Sequence, residues 1–302
     1  MADWALAVVR FALYGGLGLL FGLPFFVLTS GRGTAIWRML RLSRLFAILA
    51  AADIILSLFG FALLTARMSD GLDPSMVMIV LSTTAVGWAQ TARIAMLVAA
   101  LLIGWLLQAG RVRQSLLALC GGIAVATLAW SGHGASDDGT AGLVHLVGDI
   151  VHLLAASAWI GALALLLALA SPRGAPTHER LSAAHDALAG FSRMGTVIVG
   201  LLVLTGATNI AFTVGLAGLS ALGTSPYGQL LIVKLVLFAG MLVCAALNRF
   251  RLVPGLQATI DAGPSDVALS RLRRSIAIET ILAMLVLGLV AWFGLLEPPA
   301  SA

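Results

Sequence analysis

Residues 143–170 read LVHLVGDIVHLLAASAWIGALALLLALA, an apolar run in which His145, Asp149 and His152 are the only ionisable groups. At about 1.5 Å per residue, a helix of this length crosses ~30 Å of hydrocarbon. Spacings of four and three put the three groups near one face of that helix. Ionisable groups are costly inside a bilayer, so a face that carries three of them marks a functional site. Imidazole and carboxylate are also groups that hold transition metals. His133, upstream in the polar loop 131–140, adds a fourth such group near the same end.

The rest of the chain agrees with a membrane setting. It has 302 residues, 60% hydrophobic and only 10% charged, with a mean hydropathy of +1.04. Soluble domains carry about a quarter charged residues. A net charge of +5 would suit a nucleic-acid binder, but the basic residues gather in alternate loops and form no aromatic-interleaved patch, so the partner is the lipid bilayer and not nucleic acid. Cys120 and Cys244 lie far apart in apolar runs. They indicate neither a disulfide framework nor a thiolate metal motif.

Eight apolar runs of spanning length are expected near 5–28, 45–65, 84–108, 113–131, 145–169, 192–215, 228–248 and 275–296, with a short interfacial helix over 74–83. The first carries Arg10 and lacks a basic leader, so it reads as a span rather than a signal peptide. The fold class is therefore all-α: a polytopic membrane bundle of about eight transmembrane helices, one membrane domain over 1–302. Loops after the odd-numbered spans hold Arg32, Arg38, Arg41, Arg44, Arg111, Arg113, Arg173, Arg180, Arg249, Arg251, Arg271, Arg273 and Arg274, against Arg67 alone in the others. The positive-inside rule then places both termini and the His133 loop outside, which in a bacterium is the periplasmic face of the inner membrane; charge alone leaves a mitochondrial or eukaryotic setting open. Thr83-x3-Gly87-x5-Arg93 recurs as Thr224-x3-Gly228-x5-Lys234, offset by 141 residues. The recurrence suggests two four-helix repeats of the same orientation, 1–131 and 145–296.

His152 lies about 10 Å along the helix from His145, too far for both to ligate one ion. A ladder fits better, with an outer site at His133 and His145 and a deeper step at His152. Asp149 serves either as an oxygen ligand or as a hydrogen-bond acceptor that fixes an imidazole tautomer. Trp159 continues the face as a candidate constriction. Against this stands a plain packing role, in which such groups hydrogen-bond across helices. His178 and His185, beside Glu179 and Asp186, read as a solvated inner loop. Arg10, Arg93 and Lys234 share the depth of Asp149, so one of them is expected to neutralise it. Arg193 and Glu279 are expected to pair across two spans, and Asp53 is an isolated mid-span acid and a candidate ion or proton step. Met76 and Met78, near Met68, Asp70 and Asp73, offer thioethers that suit Cu(I), with interfacial packing as the alternative.

Several pieces in order resemble the CopD family of bacterial copper-resistance membrane proteins: Gly132-His133-Gly134, His145-x6-His152, Trp159-x-Gly161, Phe191-Ser192-Arg193, Thr224-x2-Tyr227-Gly228, Lys234, Asn248-Arg249, Pro254, and Leu272-Arg273-Arg274 with Glu279. The family usually shows His-Ala where this chain has His133-Gly134. The resemblance implies a copper ion, Cu(I) or Cu(II), as cargo, with His133, His145 and His152 as ligands. It also implies a separate CopC-like periplasmic copper-binding partner, since no such domain is expected within this chain. With no phosphate-binding loop for ATP hydrolysis, the chain reads as a non-enzymatic copper transporter, importing from that partner. Two other readings stand beside it: a b-type haem or quinone-linked electron-transfer protein, and a non-transporting factor that delivers copper to a cuproenzyme.

Overall fold

A computed structural model describes residues 2–29, 36–37, 40–69, 71–131, 139–171, 178–215, 222–255 and 266–294. Side chains are described for all of these except 2–3, 178–184, 192–193, 266–269 and 293. Among the described residues every extended element is helical: α1 (Ala2–Thr29), α2 (Leu42–Met68), α3 (Pro74–Thr83), α4 (Ala85–Leu106), α5 (Arg111–Ala126), α6 (Gly139–Ala170), α7 (His178–Thr213), α8 (Pro226–Leu247) and α9 (Asp266–Phe293). A 3-10 segment, Thr127–Ser131, extends α5, and a π-helical turn, Asn248–Leu252, extends α8. All except α3 are long and apolar enough to cross a membrane, α5 together with its 3-10 extension.

The distribution of side chains across α2 shows which solvent surrounds the bundle. Ile48, Ile55, Leu58 and Phe59 point outward, while Asp53, Ser57 and Thr65 on the same helix are buried. A water-soluble protein arranges these the other way round. In hydrocarbon the apolar face belongs outside, and each polar group has to find protein.

Two helices form the centre. α1 packs against α2, α5, α6 and α9, and α6 packs against α1, α5, α7 and α9. One apolar cluster joins them, running from Leu17 and Leu20 on α1 through Leu117 on α5 and Leu163 on α6 to Ile276 on α9. The closest approach is at Gly22 and Gly161. A Cβ at Gly22 would lie 2.8 Å from Gly161 Cα and would strike the Ser157 carbonyl, so only hydrogen fits where these backbones cross.

Helix starts are set by short side-chain caps. Asp73 accepts from the Ser75 amide ahead of Pro74, so 74–83 is the short helix expected from sequence. Thr84 accepts from the Gly87 amide and Ser225 from the Gly228 amide, each at 3.1 Å. One expectation changes here. The segment from His178 onward is not an inner loop but the first turns of α7. Its Glu, Arg, Leu and Ala residues are good helix formers, and Ala187 and Leu188 are buried in the core. On this extension His185 Nδ1 lies 3.4 Å from Asp186 Oδ1.

Candidate metal centre

The α6 face that carries His145, Asp149 and His152 meets α7, and each of the three has a partner there. The His145 ring stacks on Phe212, with centroids 4.7 Å apart and planes 9° from parallel. Asp149 accepts a short hydrogen bond from Asn209 Nδ2. His152 Nδ1 lies 2.9 Å from Thr205 Oγ1. The positions on α7 fall at spacings of four and three, the mirror of those on α6. Two antiparallel helices in register therefore zip the polar rows together.

The Thr205 contact assigns a tautomer. Thr205 Oγ1 donates its single proton to the Leu201 carbonyl at 2.6 Å. Its oxygen is then free only to accept, so the proton between the two groups belongs to His152 Nδ1. That leaves Nε2 with its lone pair, the form in which imidazole binds a metal. His145 is 2% exposed, so it lies within protein rather than at an open water surface.

Asp149 gathers polar groups from α8 as well. Lys234 lies within electrostatic range of both Asp149 and His152. Tyr227 lies within range of Asp149 and bonds to Thr213. Of the three basic residues expected at this depth, Lys234 is the one that meets Asp149. Arg10 bonds instead to Tyr14 and the Gly294 carbonyl, and Arg93 to Thr127 and Gln90. Asn209 keeps one acceptor, Oδ1, buried and without a hydrogen-bond partner. A buried acceptor left in this way is a place where a cation or a water finds an oxygen.

Below His152 the row ends at Trp159, which is 2% exposed. Its Nε1 donates to Glu279 Oε1 at 2.7 Å, and Asn248 Nδ2 donates to Oε2 at 2.9 Å. Ser275 completes the group by donating to Asn248 Oδ1. Beyond this plug a cavity of about 230 Å³ opens, lined by Trp159, Phe191, Asn248, Arg249 and Glu279 among largely apolar neighbours.

His133 and the side chain of Arg193 lie outside the described residues. Met76 is half-buried and Met78 is 63% exposed. Two positions apart on α3, they fall on different faces. Among the described residues no three His, Cys, Asp or Glu side chains converge on one point. Sequence reasoning passed over Thr205, Asn209 and Phe212, although two polar residues four apart in the next span were a visible signal.

Comparison with known proteins adds a second line. A family model described as "Copper resistance protein D-like, N-terminal domain" matches residues 1–143, and one described as "Copper resistance protein D" matches 185–293. The chain is 37% identical over 310 residues to Copper resistance protein D of Pseudomonas syringae pv. tomato, covering 100% of this chain and 99% of that protein. It is 30% identical over 173 residues to Inner membrane protein YebZ of Escherichia coli, 57% of this chain and 55% of that one. It is 32% identical over 121 residues to Copper transport protein CutJ of Bacillus subtilis, 40% of this chain and 21% of that one. No solved structure matches.

Proposed function

Because the chain belongs to the copper resistance protein D family, we propose that it carries copper across a bacterial inner membrane along the α6 face, entering at His133 and His145 and passing to His152. The single observation that carries this reading is the Thr205 bond, which presents His152 Nε2 as a ready ligand inside the bundle. Imidazole nitrogens suit copper in either common oxidation state. Asp149 and Lys234 neutralise one another, so the site receives a cation without already holding a net positive charge. Asp149 acts as acceptor for Asn209 and as a potential oxygen ligand, with Asn209 Oδ1 beside it. Trp159 and Glu279 close the inner end, and the cavity beyond receives the ion on release.

A monovalent cation gains ~2.3 kcal/mol per 100 mV on moving inward down an inside-negative potential, which favours import over export without a hydrolytic engine unless protons are exchanged, and the role proposed is non-enzymatic. Both termini and the His133 loop face the periplasm, where a CopC-like protein hands over the ion. Met76 and Met78, on different faces of α3, would each act as a single thioether contact at that mouth. The two halves 1–131 and 145–296 form one membrane domain as repeats of the same orientation.

The test is copper titration by chelator competition on purified wild type, His145→Ala and His152→Ala, with copper uptake into sealed vesicles alongside. Each variant is expected to bind Cu(I) at least about tenfold more weakly, a loss of ~1.4 kcal/mol, with unchanged helical content. Equal affinity in all three proteins overturns the ligand assignment. Binding without uptake overturns transport in favour of delivery.

A further inference from the structure

The N-terminal half holds a second buried polar group, remote from the imidazole face. Asp53, midway along α2, is 1% exposed, and its Oδ2 has no hydrogen-bond partner. Ser57, one turn further along the same helix, is also 1% exposed, and its hydroxyl has no partner. The carboxylate sits over bare backbone of α1, where a Cβ at Gly16 would fall on it. Arg93 of α4 is within electrostatic range. Three of its five N–H donors are directed elsewhere: Nε donates to Thr127 Oγ1 at 2.8 Å, one terminal nitrogen to the Thr127 carbonyl at 3.3 Å, and the other to Gln90 Oε1 at 3.4 Å. Gln90 is fixed in turn by donating to the Ser57 carbonyl at 3.0 Å.

We propose that Asp53 is a proton-binding site, whose carboxylate takes up and releases one proton at Oδ2 under the fixed charge of Arg93. A carboxylate in hydrocarbon is normally either fully hydrogen-bonded or fully ion-paired, because either remedy offsets the cost of burial. This one has neither. The positive charge stands near enough to hold the ionised form, while the empty oxygen and the apolar surroundings favour the neutral acid. Opposed influences of this kind leave two states close in free energy, which a reversible proton site requires. Among the elements packed on α2, α1 supplies Tyr14 and Arg10, which bond to each other, α4 supplies Arg93, and α3 has no titratable side chain.

The donor set decides against a metal. Carboxylate, hydroxyl and amide oxygens surround a permanent guanidinium, and none of the groups named is an imidazole or a sulfur. With a single acid and no soft donor among them, these groups suit a proton better than a soft metal ion. The C-terminal half supplies the contrast. Gly87 and Gly228 lie 141 residues apart, are bonded by equivalent caps, and each would put a Cβ 2.5 Å from the Cα of the residue six before it, Leu81 or Leu222. Six residues after each glycine comes a basic side chain, Arg93 or Lys234, facing a carboxylate from another helix. An imidazole stands beside one copy of this build, whereas none of the groups named around the other is an imidazole.

The coupling of this proton to copper movement rests on the transport reading above, whereas the site itself does not. Infrared difference spectra of copper-free protein in lipid nanodiscs, recorded between acid and alkaline pH, test the site directly. Wild type is expected to show a protonated-carboxyl carbonyl band that Asp53→Asn abolishes, Glu279→Gln retains and Ser57→Ala shifts. Identical spectra for wild type and Asp53→Asn overturn the proposal, and if that variant does not fold, an unshifted band in Ser57→Ala does so. With Cu(I) added to vesicles holding a pH dye, wild type is expected to show a change in internal pH that Asp53→Asn loses. The same pH change in both overturns coupling. No copper uptake by wild type sinks the transport reading and leaves the infrared result to stand for the site.

Discussion

Thr205 controls which nitrogen of His152 is available, because a hydroxyl has only one proton to give and this one is given to Leu201. Thr205→Val keeps the shape and removes the acceptor, so Nδ1 loses the partner that fixes it. Copper affinity is expected to fall about 10–100-fold, read by chelator competition, and Thr205→Ser is expected to restore it. A different residue answers to pH. The Ser75 hydroxyl, and then its amide, hold the exposed Asp73 carboxyl below its ordinary value of 3.8. A depressed carboxyl supports the cap of α3 at all pH values above 3.8 and withdraws it as pH falls through the lower value. The Ser75 amide resonance is therefore expected to titrate with a midpoint below 3.8, and Ser75→Ala to move the Asp73 midpoint back toward it. At this scale the sequence showed the ionisable side of the candidate site and hid the neutral one. His145, Asp149 and His152 stand out from an apolar run because charge in lipid is rare. Thr205 and Asn209 do not, because hydroxyls and amides are tolerated in spans, and Phe212 reads as lipid-facing until a ring is seen against it.

Among the elements, α6 has the least room for change. Its crossing with α1 is set by backbone contact at Gly22 and Gly161. Gly22→Ala drives a methyl into the Ser157 carbonyl and is expected to cost about 1–3 kcal/mol, measured as lower thermal stability in detergent, with Cu(I) affinity of the folded fraction unchanged. The run over 143–170 announced this helix, since a single apolar segment of that length satisfies its own backbone in hydrocarbon only as a helix. The start of α7 was harder to see. His178, Glu179, His185 and Asp186 look like loop composition, yet they occupy the first turns of a helix that starts well before the apolar run expected from residue 192. Hydropathy marks where a helix enters lipid, and it says nothing about how far the helix continues beyond.

For the whole molecule, the eight candidate spans among the described residues, crossed in series, would return the chain to the side on which it began. On the proposed orientation that side is periplasmic, so alkaline phosphatase fused after Ala302 is expected to be active in a bacterial host, and a fusion within the loop after α4 inactive. The number of spans was legible because each run is long and apolar. Their arrangement was not. Nothing in the order of the spans says that α1 and α6 lie side by side, or that Lys234 rather than Arg10 or Arg93 reaches Asp149, since those neighbours depend on packing between distant stretches.

The clamp on α6 also bears on how such a machine would move. Held by α1, α5 and α9 as well as by α7, the imidazole-bearing rod behaves as a stator. The parts at liberty to tilt are α7, which carries Thr205 and Asn209 and packs chiefly on α6, and α8, which carries Lys234 and packs on α9. Rocking them away would uncouple the ammonium from Asp149 and unbolt the threonine from His152 in one stroke. Release of the ion would then be timed by the departure of its helpers, while the nitrogens that gripped it stay where they are.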